Sequence, residues 1–468
     1  MTELLITTRE GTRAGIPSGS VEKYADRLRG ELISAGHQAY DQARRVWNGN
    51  IDRRPALIAR CLGVADVMAS VAFAREHDLL IAVRSGAHHA AGYGTCDGGL
   101  VIDLSRMKGM KVDPARSIAD AQAGLLWGEF DAETQVFGLA TTGGVVSDTG
   151  IAGLTLGGGL GWLMGKHGLT IDNLLSVDLV TAEGKFLTAS ADAHTDLFWG
   201  LRGGGGNFGV ATSFRYRLHP VGPTVLGGMV VHPMARARDV LRFYRDFSAD
   251  LPDEAEVYAA LATSPDGDPI AALLLGYNGP IEKGEKVLAP ARAFGEPIAD
   301  LVQPMPYALR NTIQDEPNAI HGIQRYWKSG FTEAIGDDLI DLIVEAAADF
   351  TSPLTGMIFF RVHGAATRVP SGATAFGLRQ EQWDFNVISQ WTEARETDAQ
   401  IAWTRALWSR LEPLISGSAY VNHLAGDDSP EKVRASFGAN YGRLAALKRQ
   451  YDPMNVFRLN ANIVPASV

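Results

Sequence analysis

A chain of 468 residues with 46% hydrophobic and 21% charged residues has the composition of a globular protein, long enough for two or three structural units. A net charge of -10 with no clustered basic stripe argues against a nucleic-acid partner, and no apolar run reaches the roughly 20 residues that span a bilayer. The opening MTELLITTREG lacks a basic stretch followed by an apolar one, and the cysteines Cys61 and Cys96 allow at most one disulfide, so a cytoplasmic location is the expectation.

In chain order, Val64, Val67, Met68, Val71 and Ala74 recur at helical spacing, and DLLIAVR behind them predicts a buried strand ending at Arg84. At the exit of that strand RSGAHHAAGYGTCDGG sets His88 and His89 side by side among glycines. GLVIDLSRMKGMKVD and IADAQAGLLWGEF then alternate short strands with turns, and LTLGGGLGWL crowds glycines into 157–161. The helix-like DLFWGLR and the strand-like VATSFRYRL flank a third glycine cluster, and the prolines of FRYRLHPVGP place a domain boundary near residue 221.

Beyond that boundary WDFNVISQW alternates at period two and puts Asp384, Asn386 and Gln390 on one strand face. The same alternation in AYVNH pairs Tyr420 with Asn422 and Val421 with His423; in LNANI it pairs Asn460 with Asn462. For each of these polar residues the alternative is an ordinary solvated strand or loop position. Between the last two segments, Phe437, Tyr441, Leu444, Leu447 and Tyr451 form one helix face, ended by DPMN.

Glycine lets backbone N–H groups approach an anion closely, so each cluster reads as a ligand loop or as tight packing. Gly204, Gly206 and Gly209 satisfy G-x-G-x-x-G, yet they follow a helix and precede a strand, the reverse of the order a Rossmann pyrophosphate site requires. No G-x-x-x-x-G-K-[ST] occurs, which removes the P-loop nucleotide hydrolases. His88 and His89 taken alone read equally as solvated loop side chains.

Taken in order, VRSGAHH, GLVIDLSRM, AQAG, GIAGLTLGGGLGWLMGKHGLTIDNLLSVDLVTAEG, DLFWGLRGGGGNFGV and YGRLAALKRQYDPMNVFRLNANIVP resemble the berberine-bridge-enzyme-like oxidases, flavoproteins with a p-cresol methylhydroxylase (vanillyl-alcohol oxidase) type FAD domain. The resemblance runs over nearly the whole chain. It implies an α+β fold: a two-part FAD-binding domain (1–220, with 425–468 returning to it) and a central substrate domain (221–424) of antiparallel sheet covered by helices. It further implies FAD held by the loop of Arg84, Ser85, Gly86 and Ala87, with His88 as the covalent tether and His89 beside it where the family carries serine or asparagine. Thr149, Gly150, Gly153, Gly157, Gly158, Gly159, Gly161, Val210, Asn460 and Asn462 complete the implied cofactor contacts. The cysteine that forms a second flavin linkage in many members is Val146 here, so one linkage is expected.

On the substrate side the resemblance makes Tyr420 the residue beside flavin N5, with Asn422, Asp384 and Asn386 in the same site and Arg361 or His363 as candidate helpers. Phenols have a pKa near 10, so a tyrosine acting as base needs a cation or proton acceptor close by. His423 replaces the family's last tyrosine, and Thr149 takes the place of the side chain that admits or blocks dioxygen. The implied reaction is hydride removal from an alcohol or amine carbon of a small organic or sugar-like substrate, with dioxygen returning the flavin to its oxidised state and giving hydrogen peroxide. Alternatives using the same machinery are a flavin dehydrogenase, an oxidative cyclase of natural-product metabolism, or a flavin-binding protein without turnover.

Overall fold

The computed structural model describes residues 3–467. Two β-rich layers flank a shared core, and each follows from its local sequence. Strands Leu57–Arg60 and Ile81–Arg84 lie on either side of Leu100–Asp103 and run parallel to it, with Glu31–Ser34 added antiparallel at one edge. A parallel pair needs a crossover. Helix Val64–Glu76 supplies it, and buries Val67, Val71 and Ala74. Buried Asp66 accepts hydrogen bonds from the backbone of Arg29, Gly30 and Leu62, which fixes where this helix starts. The loop after Arg84 therefore leaves the carboxyl end of a parallel strand, the edge at which open α/β sheets bind ligands.

A second, five-stranded antiparallel sheet is ordered Phe186–Ser190, Leu174–Val180, Val210–Arg217, Ile118–Gln122 and Met110–Asp113. The change of texture near residue 221 falls just before Thr224–Pro233, a strand of an eight-stranded antiparallel sheet. That sheet includes Ala255–Thr263, Gly356–Val362, Gln382–Trp391 and Gln324–Thr332 as consecutive neighbours on its far half. Its pleat divides the side chains. Val257, Ala259, Phe359, Phe385 and Val387 pack under helices Ala237–Ala249, Asp337–Ala348 and Thr397–Leu411. Tyr258, Ile358, Phe360 and Ile388 face the other way and join the core that also buries the parallel strands. Asp384 and Asn386 share that second face by register, on the side turned toward that core.

Several expectations are revised. The second glycine-rich segment is partly helical, with a helix over Ile151–Gly157. AYVNH is not a strand: Val421–His423 is a single 3-10 turn, because the segment leaves the sheet to cross the cavity. LNANI is likewise irregular backbone. The tail helix covers Tyr441–Tyr451, and Phe437 sits one turn earlier, separated by the 3-10 turn Gly438–Asn440. Cys61 and Cys96 are both free and buried. Among the described residues no helix is long and apolar enough to cross a membrane.

Candidate functional site

A cavity of about 300 Å³ runs from the loop behind Arg84 to the inner face of the eight-stranded sheet. Ser85, Gly86, Ala87, His88 and His89 form one wall; Thr149, Gly150 and Gly153 form the next. The two walls touch through glycine. A Cβ on Gly86 would stand 2.5 Å from the Gly150 nitrogen, and a Cβ on Gly150 would stand 2.5 Å from the Gly86 nitrogen, so neither position admits a side chain. Ala87 takes the left-handed conformation at φ 56°, which turns the chain so that His88 enters the cavity. Ser85 Oγ donates to the Ala123 carbonyl at 2.6 Å and anchors the base of the loop.

His88 is stacked on Trp47 with ring centroids 4.2 Å apart, and the Arg325 guanidinium covers Trp47 at 3.8 Å. Burial pushes the imidazole down to about 4, although Asp148 opposes the shift, so the ring is neutral and keeps one lone pair. Its Nε2 is buried without a hydrogen bond; Asp148 Oδ1 lies 3.4 Å away and is likewise unpartnered. The other Asp148 oxygen is held by His321 Nε2 at 2.7 Å. A buried ring nitrogen with a lone pair and no partner is what a covalent attachment to a ligand needs. His89 lines the same wall with different partners: its Nδ1 accepts the Ala91 N–H, its ring packs on Tyr93, and burial pushes it down to about 4 as well.

In the same cavity the Tyr420 hydroxyl accepts hydrogen bonds from the Gly159 N–H at 2.8 Å and from Asn422 Nδ2 at 2.7 Å. Burial raises this phenol well above its usual value, and no cation is among the causes, so Tyr420 is a neutral hydroxyl and not a phenolate. Tyr420→Phe is expected to lower stability by about 1–3 kcal/mol, because the Gly159 N–H and the Asn422 amide both lose their acceptor. Urea unfolding of the purified variant measures this, and an unshifted midpoint would contradict it.

Beside Tyr420, His423 donates from Nδ1 to buried Asp384 Oδ2 at 2.8 Å, the carboxylate fixing the tautomer. Asn386 Nδ2 reaches the same oxygen at 3.0 Å and takes the Trp327 indole N–H at 2.8 Å on its own oxygen. Trp327 stacks back on His423, with centroids 4.7 Å apart. The strand pairing that sets Ser329 opposite Asn386 and Trp327 opposite Ile388 makes this ring closure possible.

Not every expected contact reaches the cavity. Gly157, Gly158, Gly159 and Gly161 lie outside its lining and make room for neighbours instead: a Cβ on Gly157 would meet Asn422 at 2.1 Å, on Gly158 Phe376 at 2.9 Å, on Gly159 Thr170 at 2.0 Å, and on Gly161 the Gly143 carbonyl at 1.8 Å. Val210 is buried in its strand, and its neighbours Gly209 and Ala211 line the cavity in its place, because side chains alternate across a strand. Arg84 turns back to the Ala43 carbonyl. Asp384 and Asn386 stand behind His423 and do not reach the lining. Asn460 lines the cavity with its Oδ1 unpartnered; Asn462 Oδ1 is buried and unpartnered but lies outside it. Arg361 pairs with Glu381 and His363 with Glu256, both away from the cavity. Trp47, Asp148, Gly205 and Trp327 are site residues that residue patterns alone did not assign, and His423, noted in the sequence only as the replacement of a tyrosine, lines the cavity.

A glycine-walled cavity at the carboxyl end of a parallel strand, closed on the other side by a sheet that contributes Trp327 and Phe360, is a site for a large flat ligand. A family model described as an FAD binding domain matches residues 55–190, and one described as berberine and berberine like matches residues 419–464. An FAD-linked oxidoreductase of Dictyostelium discoideum is 31% identical over 448 residues, 95% of this chain and 97% of that protein. The (R)-6-hydroxynicotine oxidase of Paenarthrobacter nicotinovorans is 30% identical over 452 residues, 94% of this chain and 97% of that protein. A crystal structure of 6-hydroxy-D-nicotine oxidase from Arthrobacter nicotinovorans superposes with a TM-score of 0.83 at 28% identity, covering 94% of this chain and 98% of that one. The chain belongs to the berberine-bridge-enzyme-like family of FAD-linked oxidoreductases.

Proposed function

We propose that this chain is an oxidase that carries FAD covalently on His88, takes a hydride from an alcohol or amine carbon of a small organic or sugar-like molecule, and delivers the electrons to dioxygen as hydrogen peroxide. When bound, FAD supplies the two-electron acceptor for that chemistry. The observation that carries the proposal is one continuous cavity lined both by His88, whose Nε2 is unpartnered, and by Tyr420 and His423. The residues present fit the cofactor. Gly86 and Gly150 leave backbone open for a close approach, and His88 Nε2 and Asn460 Oδ1 are polar atoms awaiting a partner. The loop 85–88, Thr149 to Gly153, Gly205, Gly206 and Asn460 would hold it.

On the substrate side, Trp327, Phe360, Ile388 and Val421 exclude water from the reacting carbon, and Tyr420 and His423 bring polar atoms to its heteroatom. A screen of alcohols, oligosaccharides and cyclic amines for peroxide release tests the proposal; flavin reduction by a substrate without oxygen uptake would make the enzyme a dehydrogenase.

Thr149 lines the cavity and is shorter than leucine. Thr149→Leu is expected to slow reoxidation of the reduced protein by about tenfold or more, a barrier increase of ~1.4 kcal/mol. Mixing anaerobically reduced variant with oxygenated buffer measures it, and an unaltered rate removes Thr149 as the oxygen gate.

A further inference from the structure

We propose that His423, oriented by Asp384, is the base that takes the proton from the substrate's hydroxyl or amine, while the Tyr420 hydroxyl donates a hydrogen bond to the same heteroatom. The inference rests on the oxidase proposal and assigns the proton in it. Other histidines with an unpartnered ring nitrogen, such as His77, His167 and His232, lie outside the cavity, whereas His423 lines it with its ring beside Tyr420. One of its two nitrogens is committed to the protein. Its Nδ1–H is committed to Asp384 at 2.8 Å, which leaves Nε2 as the lone-pair nitrogen, and among the described residues no hydrogen bond reaches Nε2 while the ring lines the cavity.

The ring is also locked in place. Trp327 covers one face at 4.7 Å, and the Tyr420 ring meets it edge to face at 4.8 Å. Asp384 Oδ2 is itself held by Asn386, and Asn386 by the Trp327 indole, so the carboxylate cannot turn without losing these hydrogen bonds. The surroundings thus do for His423 what an orienting carboxylate does for a catalytic histidine elsewhere: select the tautomer, fix the direction, and hold a negative charge ready for the imidazolium that forms.

Tyr420 takes the complementary part. Its oxygen already accepts the Gly159 N–H and the Asn422 amide, so its remaining hydrogen-bonding capacity is its own O–H. Burial holds the Tyr420 phenol protonated, so of the two groups the imidazole is the one with a lone pair free to take a proton. The step balances as follows. In a substrate H–C–X–H the X–H proton passes to Nε2 of His423, the C–H bond leaves with its electron pair as hydride to the two-electron acceptor of the oxidase, and a C=X double bond forms. The Tyr420 hydroxyl then bonds to the new C=X heteroatom.

The experiment uses the FAD-loaded protein and a substrate identified by peroxide release. His423→Ala is expected to slow anaerobic flavin reduction by about 10²–10⁴-fold. Added imidazoles should restore the rate, and the restored rate should rise with the basicity of the imidazole supplied. Asp384→Asn is expected to lower kcat far more than it raises KM, because the amide turns the ring to the wrong tautomer. Nitrogen NMR of histidine-labelled protein reads that tautomer without turnover: Nδ1 protonated and Nε2 bare in the parent, reversed in Asp384→Asn. A parent spectrum with Nε2 protonated overturns the proposal, and so does a slow His423→Ala whose rate ignores imidazole. A parent protein reduced by substrate beside an equally fast His423→Ala refutes the base alone, whereas a parent that no alcohol or amine reduces refutes the oxidase as well.

Discussion

His88→Ala will lose all of its acid-stable flavin: after acid precipitation the parent protein should give a yellow pellet, and the variant a colourless pellet under a yellow supernatant. The expectation follows from one nitrogen. His88 lines the cavity, its Nε2 is buried with no hydrogen bond, and burial holds the ring neutral, so the ring keeps a lone pair that can bond to a cofactor carbon. His89 is committed to the protein instead: its Nδ1 accepts the Ala91 N–H, its ring hydrogen-bonds to the Val421 backbone, and it packs on Tyr93. The substitution also removes a ring stacked on Trp47 at 4.2 Å, so the flavin that remains should bind more weakly as well as reversibly. Equal release from the two proteins would leave the linkage without support.

The α+β organisation was legible because its signals are local. Helical spacing over Val64 to Ala74, the apolar run ending at Arg84 and the period-two run from Trp383 to Trp391 each match an element of the right type. AYVNH failed for a physical reason. Four or five alternating residues carry no information on whether a partner strand is available, and at 421–423 none is, so the chain coils into a 3-10 turn. Tyr420 and Asn422 still meet, at 2.7 Å, through the turn instead of along a strand face.

The glycine-rich motifs located the cavity but not the duty of each glycine. Gly86 and Gly150 face each other across it, whereas Gly157, Gly158 and Gly159 make room for Asn422, Phe376 and Thr170, a distinction set by tertiary contact alone. The same holds for His423. Its neighbours Asp384 and Trp327 come from strands 39 and 96 residues away in the chain, and only the pairing of Gln324–Thr332 with Gln382–Trp391 assembles them. Trp47 carries no sequence signal, since RRVWNGN belongs to no periodic segment; its role comes from lying between His88 and Arg325.

The tail is joined to the cavity by a buried ion pair, and breaking it should have the largest effect on stability of any single change outside the cavity. Lys448 and Asp452 are both fully buried and 2.7 Å apart. The Lys448 ammonium also donates to the carbonyls of Asn207 and Phe457, and Asn207 in turn holds the Ala461 carbonyl and the Ile463 N–H, so this one ammonium sets the path of the segment that carries Asn460 to the cavity. Lys448→Met keeps most of the stem volume and removes the charge. It strands the Asp452 carboxylate in the interior with only the Val456 and Phe457 N–H groups for company. Leaving one buried charge unpaired costs about 3–5 kcal/mol, much of it desolvation of the survivor. Lys448→Met is therefore expected to unfold at clearly lower urea and to release flavin more readily when the tether is also removed by His88→Ala. Adding Asp452→Asn should recover a large part of the loss, because an amide has no charge to strand, and the non-additivity of the pair measures their coupling. A Lys448→Met protein with the parent's unfolding midpoint would mean that the tail is held by its apolar contacts at Leu444, Leu447 and Phe457, with the ion pair contributing nothing to its attachment.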